Sequence, residues 1–387
     1  MRSNLSFFSD EKFRSIFFQT LVIGIFALGI YLIVQTTGHN LEKRNIATGW
    51  RFLSDPAGFD ISFSPFIDFK STDTHLDVYF VGIFNTLLVS FCGCIAATIL
   101  GFLIGIVRLS SNWLLSRVAY VYVEFTRNVP LLLQIILWYS ILIQLPRIKQ
   151  ALELMDMFFI SNRGIYSPRP IFENGFSFVF IAFILALISS FILRKWSKKR
   201  QDETGKQFPV ALTALGLLLI VPLVLFFILG SPLSFDFPAL KGFNFKGGMV
   251  IRPEFIAMFL ALTIYTAAFI SETVRSGILS VTKGQREASS SLGLKKSWIM
   301  RLVIIPQALR VIIPPLTSQY LNLTKNSSLG IAVGYADLVH GFGGISLNQT
   351  GQAIECMVIV MATYLTISLI ISAFMNIYNK SIQFKEK

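Results

Sequence analysis

Few residues in this chain could do covalent chemistry. It holds 3 histidines and 3 cysteines, and Cys92, Cys94 and Cys356 all lie in apolar runs. That inventory gives neither a disulfide framework nor a zinc site, and the cysteines suit apolar packing. No Gly-x-x-x-x-Gly-Lys-Ser/Thr run occurs, so no loop is built to cradle phosphates. Gly341-Phe342-Gly343-Gly344 is Gly-rich but falls on the outer side, after the seventh apolar run. The apolar runs offer no clustered His, Asp or Ser, so no catalytic residue and no metal ligand is assigned. What remains is polar groups inside apolar runs, where an Arg at a helix centre costs about 2.5–3.5 kcal/mol on insertion scales. These are Arg127, three residues after Glu124 on one helix face, with Asn85, Gln134, Gln319, Asn322 and Lys325. Their chemistry is hydrogen bonding and charge pairing. They could line a path for a zwitterionic solute, or hold helices together, with Arg127 and Glu124 as a structural ion pair.

A second informative stretch is polar. It runs Gly284-Gln285-Arg286-Glu287-Ala288-Ser289-Ser290-Ser291-Leu292-Gly293-Leu294-Lys295-Lys296-Ser297-Trp298. Thr282 and Gln285 have capping-box spacing, which starts a helix. Ala288 and Leu292, four apart, share a face, and Gly293 suits the left-handed turn that ends a helix. The pattern predicts a helix of a few turns, a sharp turn, and a second helix entering an apolar run at Pro306. A short surface helix with small residues can seat in a partner's groove, and it can equally be an ordinary amphipathic loop.

The elements that position these residues are apolar helices. The chain has 387 residues, 53% hydrophobic and 14% charged, with 37 phenylalanines, against about 25% charged residues in soluble domains. Its mean hydropathy is +0.64. The net charge of +13 falls between apolar runs rather than on one patch, which sets nucleic-acid binding aside. Runs at 16–34, 81–107, 114–145, 176–193, 208–229, 255–277, 302–323 and 357–377 approach or exceed the roughly 20 residues that cross a bilayer. The first resembles a signal peptide but is long and lacks a cleavage site, so it reads as a retained anchor. The third is interrupted by Arg117, Glu124 and Arg127; the seventh is broken by Pro306, Pro314 and Pro315. Lys and Arg crowd alternate loops. Arg2, Lys12 and Arg14, then Arg108 and Arg117, then 194–206, then 275–301, then Lys380, Lys385 and Lys387 fall on one side, which places both termini in the cytoplasm. The fold class is therefore all-α integral membrane, with about eight transmembrane helices.

The polar stretch also carries a resemblance. Glu-Ala-Ala, three residues, Gly, nine residues, then Ile-x-Leu-Pro is the coupling loop of ABC importer permeases. Glu287, Ala288, Gly293 and Pro306 match at that spacing, with Ser289 for the second Ala, Val303 for Ile and Ile305 for Leu. Runs 124–134 and 265–278, the latter leading into Gln285, resemble the polar amino-acid permeases, as does Lys325-Asn326-Ser327-Ser328-Leu329. A long N-terminal extension and an inserted helix pair resemble the general, broad-specificity L-amino-acid importers.

This resemblance implies a type I importer core of five helices at 81–145 and 253–378, within a transmembrane domain at 81–378. An extension at 1–80, an inserted pair at 146–252 and a cytoplasmic tail at 379–387 complete the chain. It implies a bacterial inner-membrane subunit that does no covalent chemistry. ATP and Mg would be used by a cytoplasmic ATPase dimer. The other expected partners are a second, homologous but different permease chain, a periplasmic amino-acid-binding protein and the bilayer, with no nucleic acid. Gln285, Glu287, Ala288, Gly293 and Pro306 would meet the ATPase; Arg127, Gln134, Gln319, Asn322 and Lys325 would line the path. The rival class is an ion-coupled secondary transporter of small polar solutes, whose usual inverted repeats are not visible in the sequence.

Overall fold

Thr74 sets the start of the longest buried helix. In the chain's structure, a computed structural model describing residues 11–43 and 48–383, its backbone N–H donates to the Asp77 carboxylate at 2.9 Å and its hydroxyl accepts from the Asp77 N–H. This capping box begins α2 (His75–Val107). The helix α1 (Glu11–Lys43) precedes it and buries none of the residues of its apolar window. Of the basic residues used for orientation, Arg2, Lys385 and Lys387 lie outside the described residues, as does tail segment 384–387.

The described residues divide into two units, 1–136 with 258–387, and 137–257. In the first, α2 packs closely on α7 (Pro253–Leu279), because it presents Gly101 and Gly105 one turn apart. A Cβ on Gly101 would sit 2.6 Å from the Ile270 side chain, and one on Gly105 would sit 2.8 Å from the Ser271 carbonyl oxygen. Small residues four apart let membrane helices approach in this way. Along the same helix Val78 and Val81 pack with Phe52, Phe69, Leu338, Phe342, Cys356 and Val360.

The run at 114–145 is not one straight span. Asn112 caps α3 (Trp113–Asn128), accepting from the N–H groups of Leu114 and Leu115 at 3.0 and 3.2 Å. Pro130 disfavours helical backbone at Val129, and α4 (Leu131–Ile143) leaves at 105° to α3. The described residues thus contain 7 helices long and apolar enough to cross a membrane, or 8 if the bent pair crosses as one.

After α7 come α8 (Lys283–Ser291), α9 (Lys296–Ile299), a π-helical turn at Met300–Ile304, and α10 (Ile305–Asn326). The prolines do not break α10 as expected. Pro306 follows directly on the π-helical turn, and the helix runs on through Pro314 and Pro315. A 3-10 stretch, Ser327–Val333, and a π-helical stretch, Leu338–Ser346, lead through α11 (Leu347–Thr350) to α12 (Ala353–Ile382).

The second unit adds strands that the sequence did not announce. β1 (Leu152–Leu154), β2 (Phe158–Ser161), β3 (Gly164–Ser167) and β8 (Met249–Ile251) form an antiparallel sheet in that order. β4 (Arg169–Phe172) pairs with β5 (Leu233–Asp236), and β6 (Ala239–Lys241) with β7 (Asn244–Lys246). Tyr166 and Phe159 stack on Phe245 at 4.7 and 4.6 Å between ring centres, which gives this small structure an apolar centre. Between the strands lies the hairpin of α5 (Phe176–Thr204) and α6 (Val210–Ile228); α6 buries no residue.

Candidate coupling and translocation surface

The α7–α8 connection is rigid on one side and open on the other. Thr282 occupies the N-cap position of α8, but its side chain makes no capping bond, so the expected capping box is not formed. The connection is held from below instead. Arg286 donates to the Ile278 carbonyl at 2.8 Å, and the buried Ser289 donates to the Gln285 carbonyl at 2.6 Å. Gly293 has φ +76°. Its N–H donates to Ser290 O at 2.9 Å and the Leu294 N–H to Ser289 O at 3.4 Å, the paired bonds of a Schellman stop. Arg286 and Ser289 face inward. Gln285, Ala288 and Leu292, at helical spacing of three and four, face out with Glu287 beside them. Leu292 is 80% exposed. Pro306 stands apart from this face, half-buried in the first turn of α10.

The path residues separate into two groups. Gln134 is buried and committed: its amide donates to the carbonyls of Thr126 and Val129, both at 3.0 Å. These are orphan acceptors at the end of α3, so Gln134 holds the bend. Asn85 is likewise structural, donating to Phe63 O and Ala336 O at 2.8 Å. Arg127 forms no ion pair with Glu124 among the described residues; it lies 5.1 Å from the centre of the Phe269 ring, exposed to the outside of this chain. On α10, Asn322 and Lys325 are exposed in line with Ser318, and Gln319 is half-buried. No hydrogen bond or ion pair joins Arg127 to these α10 residues among the described residues. The bilayer core offers polar groups no partner. An exposed polar line on a membrane-crossing helix therefore marks a face that meets protein or water.

Two features had no sequence forecast. Glu272 accepts from Arg275 at 2.6 Å and pairs with Arg108, whose guanidinium also lies 5.5 Å from the Tyr120 ring centre. This knot ties α7, the helix that feeds α8, to the end of α2 and to α3. The Glu272–Arg275 spacing was visible in sequence; the Arg108 partner, 164 residues away, was not. The other is Asp337, fully buried, accepting from the His340 N–H at 2.8 Å and from the Tyr364 hydroxyl at 3.2 Å. Burial pushes its carboxyl up to about 6, against the hydrogen bonds that hold it down. A lone acid amid apolar residues 329–347 was the available signal. No group of three or more His, Cys, Asp or Glu is placed to hold a metal among the described residues.

Apolar helices long enough to cross a membrane, joined through a polar helical connector, define a multi-pass membrane protein. Residues 208–384 match the family of binding-protein-dependent transport system inner membrane components. The chain is 48% identical to the general L-amino acid transport system permease protein AapQ of Rhizobium johnstonii, over 98% of this chain and 94% of that one. It is 46% identical to the amino-acid ABC transporter permease protein YhdX of Escherichia coli, described as putative, over 100% and 98% of the two chains. The glutamate/glutamine/aspartate/asparagine transport system permease protein BztB of Rhodobacter capsulatus is 42% identical over 98% and 96%. A chain from the crystal structure of an amino acid ABC transporter aligns at 21% identity with TM-score 0.47, covering 79% of this chain and 95% of that one. The chain belongs to the ABC importer permease family, as a multi-pass membrane subunit.

Proposed function

We propose that this permease carries L-amino acids inward across the bacterial inner membrane, driven by ATP hydrolysed on a separate cytoplasmic ATPase dimer. The reading rests on the open face of α8. Gln285, Glu287, Ala288 and Leu292 project from a helix locked at both ends, and an unpartnered 80%-exposed leucine beside small residues fits a protein groove. Closure of the ATPases pushes α8, and α7 passes the push to α2 through the Gly101–Gly105 seam. The exposed polar groups of α10 and Arg127 face a second, different permease chain across the path. A periplasmic binding protein delivers the amino acid from the other side. The substrate class is supported by the names of the relatives, two of which are amino-acid permeases at over 40% identity across nearly the whole chain. The test is reconstitution: the purified assembly should hydrolyse ATP faster when loaded binding protein is added. Purification of the chain without any ATPase would overturn the proposal.

Both termini lie in the cytoplasm in this reading. In a cysteine-free background, Asp60→Cys should label from outside the membrane and Gln201→Cys should not. Labelling of both from outside would reject the topology.

A further inference from the structure

The hairpin of α5 and α6 presents a groove that the proposed coupling and path residues do not reach. Its apolar stretch stops at Arg194, and residues 194–206 hold six basic side chains against Asp202 and Glu203. Lys199 pairs with Glu203 at 3.8 Å, and Arg200 lies 5.3 Å from the Trp196 ring centre. Trp196 in turn meets Phe208, across the hairpin, edge to face at 5.6 Å. Trp and basic residues at the end of an apolar helix mark the level of the headgroups.

Arg194 and Lys198 differ from their neighbours. They are four apart on one face of α5, and both line a groove of about 700 Å³ between α5 and α6. Neither pairs with a carboxylate among the described residues. Below them the wall is apolar, with Phe191 on α5 and Ala214 and Leu218 on α6. Two unneutralised cations over an apolar trench, at headgroup depth, match an anion that carries a hydrocarbon tail. A soluble anion has no use for the trench, and a zwitterionic lipid would bring its own ammonium against the cations.

We propose that the α5–α6 groove is a binding site for one anionic phospholipid, with its phosphate on Arg194 and Lys198 and an acyl chain along Phe191, Ala214 and Leu218. The experiment titrates the full transport complex, in phosphatidylcholine nanodiscs, with fluorescent phosphatidylglycerol. The wild type should bind it in preference to phosphatidylcholine. R194Q/K198Q should bind about 10- to 30-fold more weakly, from about 1 kcal/mol per basic residue. Ala214→Trp, which fills the trench and keeps both charges, should also lose binding. K195Q/K199Q, equal in charge but outside the groove, should bind as the wild type does. Equal loss in K195Q/K199Q would reduce the effect to general surface charge and overturn the site. Unchanged binding in R194Q/K198Q, or displacement of the lipid by millimolar inorganic phosphate, would also overturn it. So would release of the ATPase from R194Q/K198Q with lipid retained, since the basic end would then be a protein contact.

Discussion

The Gln134 side chain reaches back across a helix break to donate to the Thr126 carbonyl at 3.0 Å, eight residues upstream. A second bond to Val129 O at 3.0 Å closes the bend. Gln134→Leu keeps the volume but leaves two buried acceptors unpaired. The expected cost is about 2 kcal/mol, seen as a lower thermal midpoint of the detergent-purified protein. An unchanged midpoint would show that Pro130 alone holds the 105° turn.

Glu272 sits between Arg275 and Arg108, whose side chain is 7% exposed. Removing the carboxylate strands a buried guanidinium, at a cost of about 3 kcal/mol. Glu272→Gln should therefore lower stability and, by loosening α7 from α2, reduce transport more than ATP hydrolysis. Equal losses of the two activities would argue against a transmitting role.

Gly293 tests coupling most directly. Its φ of +76° resists a β-branched side chain, whereas Asn tolerates it. Gly293→Val should abolish amino-acid uptake while the chain still inserts in the membrane, and Gly293→Asn should retain much of the uptake. Wild-type uptake and stimulated hydrolysis in Gly293→Val would mean that α8 is only a connector.

Asp337 gives a pH dependence. Its carboxyl is raised from 3.8 to about 6 in the folded protein. A raised value means that protonation favours the fold. Stability is fully present below the ordinary carboxylate range and falls as pH rises through about 6, by about 3 kcal/mol in all. The thermal midpoint should drop between about pH 4 and pH 6.5 in the wild type, and Asp337→Asn should remove that drop. The neighbouring His340 sees its own value lowered by burial, so His340→Gln is the control. An equal slope in Asp337→Asn would assign the effect elsewhere.

Local signals explain what the sequence could and could not foretell. Helix α8 and its stop were legible because Gly293 needs only its own backbone angle. The spans were legible because lipid demands long apolar runs. The bend was not foretold: the run at 114–145 reads as one span interrupted by charges, although Pro130 stands inside it, and Gln134, which holds the turn, looked like a path residue. Pro314 and Pro315 looked like breakers, yet α10 runs through them unended. Strands of three or four residues, such as β6 and β7, are too short to show a period of two. The Arg108–Glu272 pair needs α2 and α7 side by side, which no spacing along the chain encodes.

The Gly101–Gly105 seam also sets how motion is shared. With Ile270 and Ser271 pressed where Cβ atoms would be, neither helix can ride over the other without lifting away. α2 and α7 therefore behave as one lever rather than two sliding rods. In the proposed coupling, a displacement applied at α8 would be carried into α2 by this close seam, and the angled joint between α3 and α4 and the π-helical turn ahead of α10 would be the places left to flex. Widening the seam by even one methyl would introduce backlash, and stroke length would be lost before any chemistry changed.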